Sequence, residues 1–283
     1  MPPDQASLEA LFIAACQAEL AALKPGNVHI HNANHRMTMD DFERSARVAA
    51  PHIARLGAPV GERIEAAMRA TWDEVGKNTN LGILLLSAPL LAAAEAGGDL
   101  RRALAGVLTG LTVEDTKATY RAIALANPAG LGEVADQDVR AEPSLRLIDA
   151  MALAADRDLI ARQYVTNYAL VFDRGVVHLA AMEARGWSED WAIASCFLDF
   201  LGAEPDTHIQ RKLGRLIAGR VQRAAASLSL KLIQADDPAS LKDELLDVDN
   251  TLKNMNINPG TSADMTVASF LASRIPRVIL GTG

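Results

Sequence analysis

The chain has 283 residues, 49% of them hydrophobic but only 4% aromatic, so a sizeable core must be built chiefly from Ala, Leu, Ile and Val, a balance that favours closely packed helices. Lys and Arg total 28 against 35 Asp and Glu, a net charge of -7, which argues against a general nucleic-acid binder or a partner of anionic membrane surfaces. Any phosphate the protein holds must then meet a local basic cluster or a metal ion.

The first residues, MPPDQASLEA, lack the positive start and long apolar run of a secretory signal. Cys16 and Cys196 lie in apolar helical patterns without metal-ligand spacing, so the expectation is a reduced, soluble, cytoplasmic protein. Residues 6–23 read as an amphipathic helix stopped by Pro25 and Gly26, since proline disfavours helix before it and glycine tolerates the left-handed turn after it. Residues 24–37 follow as a loop. In it Lys24 and Asn27 flank the Pro-Gly, and His29, His31 and His35 follow. That concentration beside a tight turn in an acidic protein points to anion binding or proton transfer.

Thr38 with Asp41 has the spacing of a capping box and opens a helix to about Ala50. In GKNTNLGILLL, residues 76–86, Lys77, Asn78, Thr79 and Asn80 crowd the start of the most apolar run, a place that suits a phosphate as well as a plain cap. The run LGILLLSAPLLAAA, 81–94, is shorter than the roughly 20 residues needed to span a bilayer and reads as a buried central helix. Glu95 at its end is either at the solvent or a ligand.

Thr112 with Asp115 opens another helix, and PAGLGEVADQDVRAEP, 128–143, reads as a long irregular loop. Asp158 and Arg162 have the spacing of an ordinary helix ion pair, and Trp187 and Trp191, four apart, that of core or interface residues. Ser188 precedes a further helix, and Pro205 and Asp206 open the next. There His208, Arg211, Lys212 and Arg215 fall at i, i+3, i+4 and i+7, a basic stripe suited to polyphosphate. In NINPGTSADMT, 256–266, Asn258 and Gly260 repeat the first Pro-Gly loop, Thr261 or Ser262 serves as a cap, and Asp264 lies in the first turn. With no hairpin turn and no sustained alternation, residues 1–283 read as one all-α domain of about ten helices.

The blocks KPGNVH, HRMTMDDF, NTNLGILLLSAPL, DTKATYRAIALANPAGLG, PDTHIQRKLG and NPGTSAD, in this order across nearly the whole chain, resemble the triphosphoribosyl-dephospho-CoA synthase family. The resemblance implies an all-helical enzyme that joins C1 of the ATP ribose to the 2'-hydroxyl of 3'-dephospho-CoA and releases adenine. In that picture Lys24, Arg211 and Lys212 are the phosphate donors, helped by Gly26, Asn27, Asn78, Asn80, Asn258, Gly260 and Thr261 around the loops. Glu95, Asp115, Asp206 and Asp264 are candidates to hold Mg2+ or Mn2+, and Asp206, His208 and Asp264 to act on the substrates as acids, bases or electrostatic groups. The sequence differs from the better-known members at Thr79-Asn80-Leu81-Gly82, where they carry Thr-His-Lys-Gly, and at Val28-His29, where they carry Val-Asp. These differences resemble a branch found in organisms that make methanopterin-type cofactors, so phosphoribosyl transfer to a polyol precursor of such a cofactor is the alternative. A non-catalytic nucleotide-binding protein and a nucleotide hydrolase are further readings, and the Ala-rich helices leave room for a homodimer.

Overall fold

The computed structural model describes residues 2–32, 38–127 and 143–280, and among them it is helical throughout, without a strand. The expected loop at 128–143 therefore lies, but for Pro143, outside the described residues, as does His35. The helices are α1 (Gln5–Ala21), α2 (Met39–Ile53), α3 (Val60–Val75), α4 (Leu81–Glu95), α5 (Leu100–Thr109), α6 (Val113–Ala126) and α7 (Leu147–Ala152). After them come α8 (Leu159–Val165), a π-helical segment (Leu170–Val176) running into α9 (Val177–Ala184), α10 (Glu189–Ala203) and α11 (Thr207–Leu213). The chain closes with α12 (Arg215–Gln234), a 3-10 turn (Pro238–Leu241), α13 (Lys242–Asn254) and α14 (Gly260–Leu280). The count exceeds the expected ten because α7, α8 and α11 are too short to show a periodic apolar pattern.

Local chemistry sets most of the boundaries. Thr38 and Thr112 form the two capping boxes, each hydroxyl accepting from the backbone three residues on while Asp41 or Asp115 accepts from the cap's own N–H. α14 starts at Gly260, two residues before the Ser262 that reads as a cap, and runs on through Pro276. α11 ends after seven residues because Gly214 turns the chain with φ of 87°. Arg215 consequently belongs to the next helix, and the expected four-residue basic stripe is cut to His208, Arg211 and Lys212.

α4 is the central helix, buried on nearly every side and packed by α3, α5 and α14. It carries Pro89, whose missing N–H leaves the Leu85 carbonyl without its helical partner. Tyr164 repairs this by donating its hydroxyl to Leu85 O at 2.6 Å, and Tyr168 reaches the next carbonyl, Leu86 O, at 3.1 Å. Among the described residues no single helix is long and apolar enough to cross a membrane.

The core has two parts. The larger surrounds α4 and the middle of α14, and the smaller joins α10, α12 and α13. Trp187 and Trp191 lie against both parts, as the core reading has it, though Trp187 precedes α10 rather than sharing it. α14 begins at the seam: Ala263 belongs to the smaller cluster and Met265 to the larger. A seam between two packed units is where pockets commonly form.

Candidate active site

The two Pro-Gly loops, whose asparagines Asn27 and Asn258 are 231 residues apart, meet. Asn27 Nδ2 donates to Asn258 Oδ1 at 2.8 Å. Gly26 has φ of 84° and lies so close to the second loop that a Cβ there would stand 2.9 Å from the carbonyl oxygen of Ile257, so only glycine fits. Its N–H donates to Asp249 Oδ1 at 2.8 Å, and Asp249, fully buried on α13, also meets His29 Nε2 at 3.2 Å and Lys253 Nζ at 3.0 Å. This polar network fixes the first loop to α13. The repeated Asn, Pro and Gly thus make one joint rather than two separate sites.

Lys24, expected as a phosphate donor, faces inward. It is fully buried, and its ammonium meets Glu19 O at 2.7 Å, Val28 O at 2.6 Å and Glu19 Oε1 at 3.1 Å. An ammonium has three donors and all three are taken, so Lys24 shapes the loop.

α14 starts beside α11, and one carboxylate ties them. Asp206 Oδ1 accepts from Ile209 N at 3.0 Å as the cap of α11, while Oδ2 accepts from Ser262 N at 2.7 Å and Ser262 Oγ at 2.8 Å. The helix starts two residues later than the proline reading has it, since Thr207 is its first residue, Asp206 the cap and Pro205 lies before the cap. Thr261 Oγ1 lies 3.1 Å from Thr207 Oγ1 and accepts from His208 N at 3.1 Å, and the His208 ring covers Gly260. Both oxygens of Asp206 are engaged with protein donors, an arrangement that positions α11 against α14.

α8 joins the same place. Asp158 caps it through Oδ1 and pairs through Oδ2 with Arg211 of α11. The helix pair read at Asp158 and Arg162 does not form; Arg162 meets Glu204 at 3.4 Å instead. Asp158 is the site residue that the sequence reading missed, because its spacing to Arg162 supplied an ordinary explanation. Arg211 Nε remains buried without a partner, one orphan donor in a built site.

The fourth wall is the start of α4. Gly82 lies against Asp264 of α14: a Cβ there would stand 2.0 Å from Asp264 Oδ2 and 2.9 Å from Ile160 Cδ1, so any side chain would expel the carboxylate. Asn78 Oδ1 accepts from Leu81 N at 3.3 Å, whereas Asn80 gives its amide to Thr71 Oγ1 and keeps a buried Oδ1 with no partner. Lys77 is paired with Asp41 at 2.8 Å.

Asp264 is the focus of this arrangement. It is half-buried, and no hydrogen-bond partner meets its carboxylate among the described residues. Desolvation, then the nearby charges of Asp206 and Glu19, push its pKa well above the usual carboxylate range, with Arg211 opposing. His208 is shifted the other way: burial holds its pKa below the ordinary histidine value, with Arg211 and Lys212 adding to the effect and Asp206 opposing. Lys212 itself is exposed.

Two expected metal residues are not brought here. Glu95 ends α4, about 20 Å along the helix from Gly82 at 1.5 Å per residue, and it accepts from Gly57 N at 2.8 Å and pairs with the buried Arg63. Asp115 accepts from Thr112 N and Oγ1 at 2.8 and 2.7 Å and from Gly61 N at 2.8 Å, so capping and helix contact consume both oxygens. Among the described residues no three His, Cys, Asp or Glu side chains converge to hold a metal ion by themselves. Mg2+ commonly takes only one or two protein carboxylates and completes its shell with substrate phosphates and water, and the unpartnered Asp264 beside Arg211 fits that donor set.

Comparison with models of protein families matches residues 5–280 to the family described as ATP:dephospho-CoA triphosphoribosyl transferase. Among solved structures, the crystal structure of a proposed triphosphoribosyl-dephospho-CoA synthase from Archaeoglobus fulgidus is similar at 23% identity and a TM-score of 0.65 over 82% of this chain and 97% of that one. At that identity the likeness establishes a shared fold. Comparison with curated proteins finds no match.

Proposed function

The chain belongs to the ATP:dephospho-CoA triphosphoribosyl transferase family, and from that premise we propose that the seam between α4, α8, α11 and α14 takes the triphosphate of ATP and passes the triphosphoribosyl group to the 2'-hydroxyl of dephospho-CoA, releasing adenine. The observation that carries the reading is the juxtaposition of a partnerless carboxylate, Asp264, with a partnerless buried guanidinium nitrogen, Arg211 Nε. A protein rarely leaves either without a partner, and a triphosphate accompanied by a divalent cation supplies both. The first-turn amides of α4 add partial positive charge beside Gly82.

Mg2+ held at Asp264, when present, offsets the charge of the phosphate oxygens. The rest falls to the chain. The C1–N9 bond of ATP breaks, C1 bonds to the acceptor oxygen, and the hydroxyl proton is made up on departing adenine, so one group must accept a proton and another supply one. His208 is the group suited to accept it, because its lowered pKa keeps the ring neutral at ordinary pH. The positive ribosyl carbon, as in sugar transfer generally, is stabilised by the acidic surroundings of Asp264, Asp158 and Glu19.

The direct test is incubation with ATP, Mg2+ and dephospho-CoA, with free adenine measured by chromatography. Adenine that depends on the acceptor supports transfer; adenine without acceptor supports a hydrolase, and none with any acceptor a binder. A pH series adds a second check. A base with a depressed pKa stays neutral down through the ordinary histidine value of 6.5, so kcat/KM is expected to hold at pH 6.5 and fall only below it. His208→Gln should lower the plateau about 10²-fold and remove that acid limb; an unaltered limb in the variant assigns the base elsewhere.

A further inference from the structure

We infer that the cleft between α12 and α13 seats the pantetheine arm of the acceptor. The inference rests on the reading of dephospho-CoA as that acceptor. The successive helices α12 and α13 are tied by an ion pair between Lys231, near the end of the first, and Glu244, near the start of the second. Both helices line a cavity of about 510 Å³, together with Leu198 and Leu201 of α10. The volume falls within the roughly 300–1,000 Å³ of small-ligand pockets.

Where the cleft opens decides what it suits. Pro25 and Ile257 line it, one from each Pro-Gly loop, so the joined loops that border the reaction site on one side form the wall of the cleft on the other. An acceptor whose ribose lies at Asp264 would reach the cleft by passing this joint. The walls are aliphatic, with the hydroxyls of Ser227 and Thr251 among them. A slender, mostly apolar chain with two amides matches such a lining, whereas a polyol would leave most of its hydroxyls desolvated without partners. The triphosphate is equally unsuited, since the charges on the cleft are mixed: Arg220 and Lys231 against Glu244 and Asp247.

The experiment compares dephospho-CoA with ADP, which carries the same ribose and diphosphate but no arm, as acceptors for adenine release. The wild-type protein is expected to show a KM for dephospho-CoA about ten- to a hundred-fold below that for ADP. Ala224→Trp and Ser227→Trp, at exposed positions three apart on the lining face of α12, fill the cleft without touching the core. Each should raise the KM for dephospho-CoA toward that for ADP and leave the KM for ATP unchanged. Variants that keep the full preference for dephospho-CoA overturn the inference, as does a loss that tracks dissociation of a dimer in sedimentation. Calorimetric binding of dephospho-CoA to the same proteins separates the two levels: no adenine from the wild type with binding still lost in the variants defeats the reaction but retains the cleft, and binding unaffected by either variant defeats the cleft.

Discussion

Asp264→Asn is expected to abolish most turnover while making the protein more stable. In the proposed reaction this carboxylate would meet the cation and the developing charge, so removing it should cost on the order of 10²–10³ in kcat, by analogy with other electrostatic groups aimed at a transition state. Nothing in the fold depends on its charge, because no protein donor meets it and the neighbours that shift its pKa are chiefly acids. The pH dependence has a definite sign. A carboxyl whose folded pKa is raised weakens the fold as pH climbs through its unfolded value, and the penalty is full only above the folded value. The gain in Tm from replacing the acid with its amide should therefore be small near pH 4 and grow toward neutrality, measured without Mg2+. A variant that is both inactive and less stable at pH 7 would mark Asp264 as a structural residue.

Asp206→Ala should have the opposite character. Three donors, Ile209 N, Ser262 N and Ser262 Oγ, lose their acceptor in a fully buried place. At about 1–3 kcal/mol for each buried group left unsatisfied, and with partial relaxation, a loss of about 3–5 kcal/mol is expected. Urea unfolding would show it as a lower midpoint with an unchanged slope. A shift under about 1 kcal/mol with activity gone would return Asp206 to the chemistry, as its residue type first suggests.

These two aspartates show what the sequence can and cannot reveal. Both read as helix-start acids; Asp206 is indeed the cap of α11, whereas α14 starts at Gly260 and so carries Asp264 past its first turn. The tertiary partners tell them apart: Asp206 caps one helix and reaches across to a second, whereas Asp264 faces Gly82 and finds no donor. Local signals are legible wherever the partner lies within a few residues, as with the capping boxes at Thr38 and Thr112 and the central apolar helix. The meeting of the Pro-Gly loops is legible as a repeat of residue types, though not as a direct bond between Asn27 and Asn258. Lys24 misleads because a lysine beside a turn looks exposed, and nothing in its spacing reveals that its own loop folds carbonyls around it. Glu95 and Asp115 mislead for a related reason. A buried Arg63 and an orphan Gly61 amide are demands set by other helices.

The central claim is that ATP's phosphate tail lies between Arg211 and Asp264. A crystal structure with a non-hydrolysable ATP analogue and Mg2+ measures this directly. The account predicts a phosphate oxygen within hydrogen-bond reach of Arg211 Nε, a cation touching Asp264, and the nucleotide's ribose turned toward the joined Pro-Gly loops. A triphosphate bound elsewhere, with Arg211 Nε and Asp264 still bare, would contradict it.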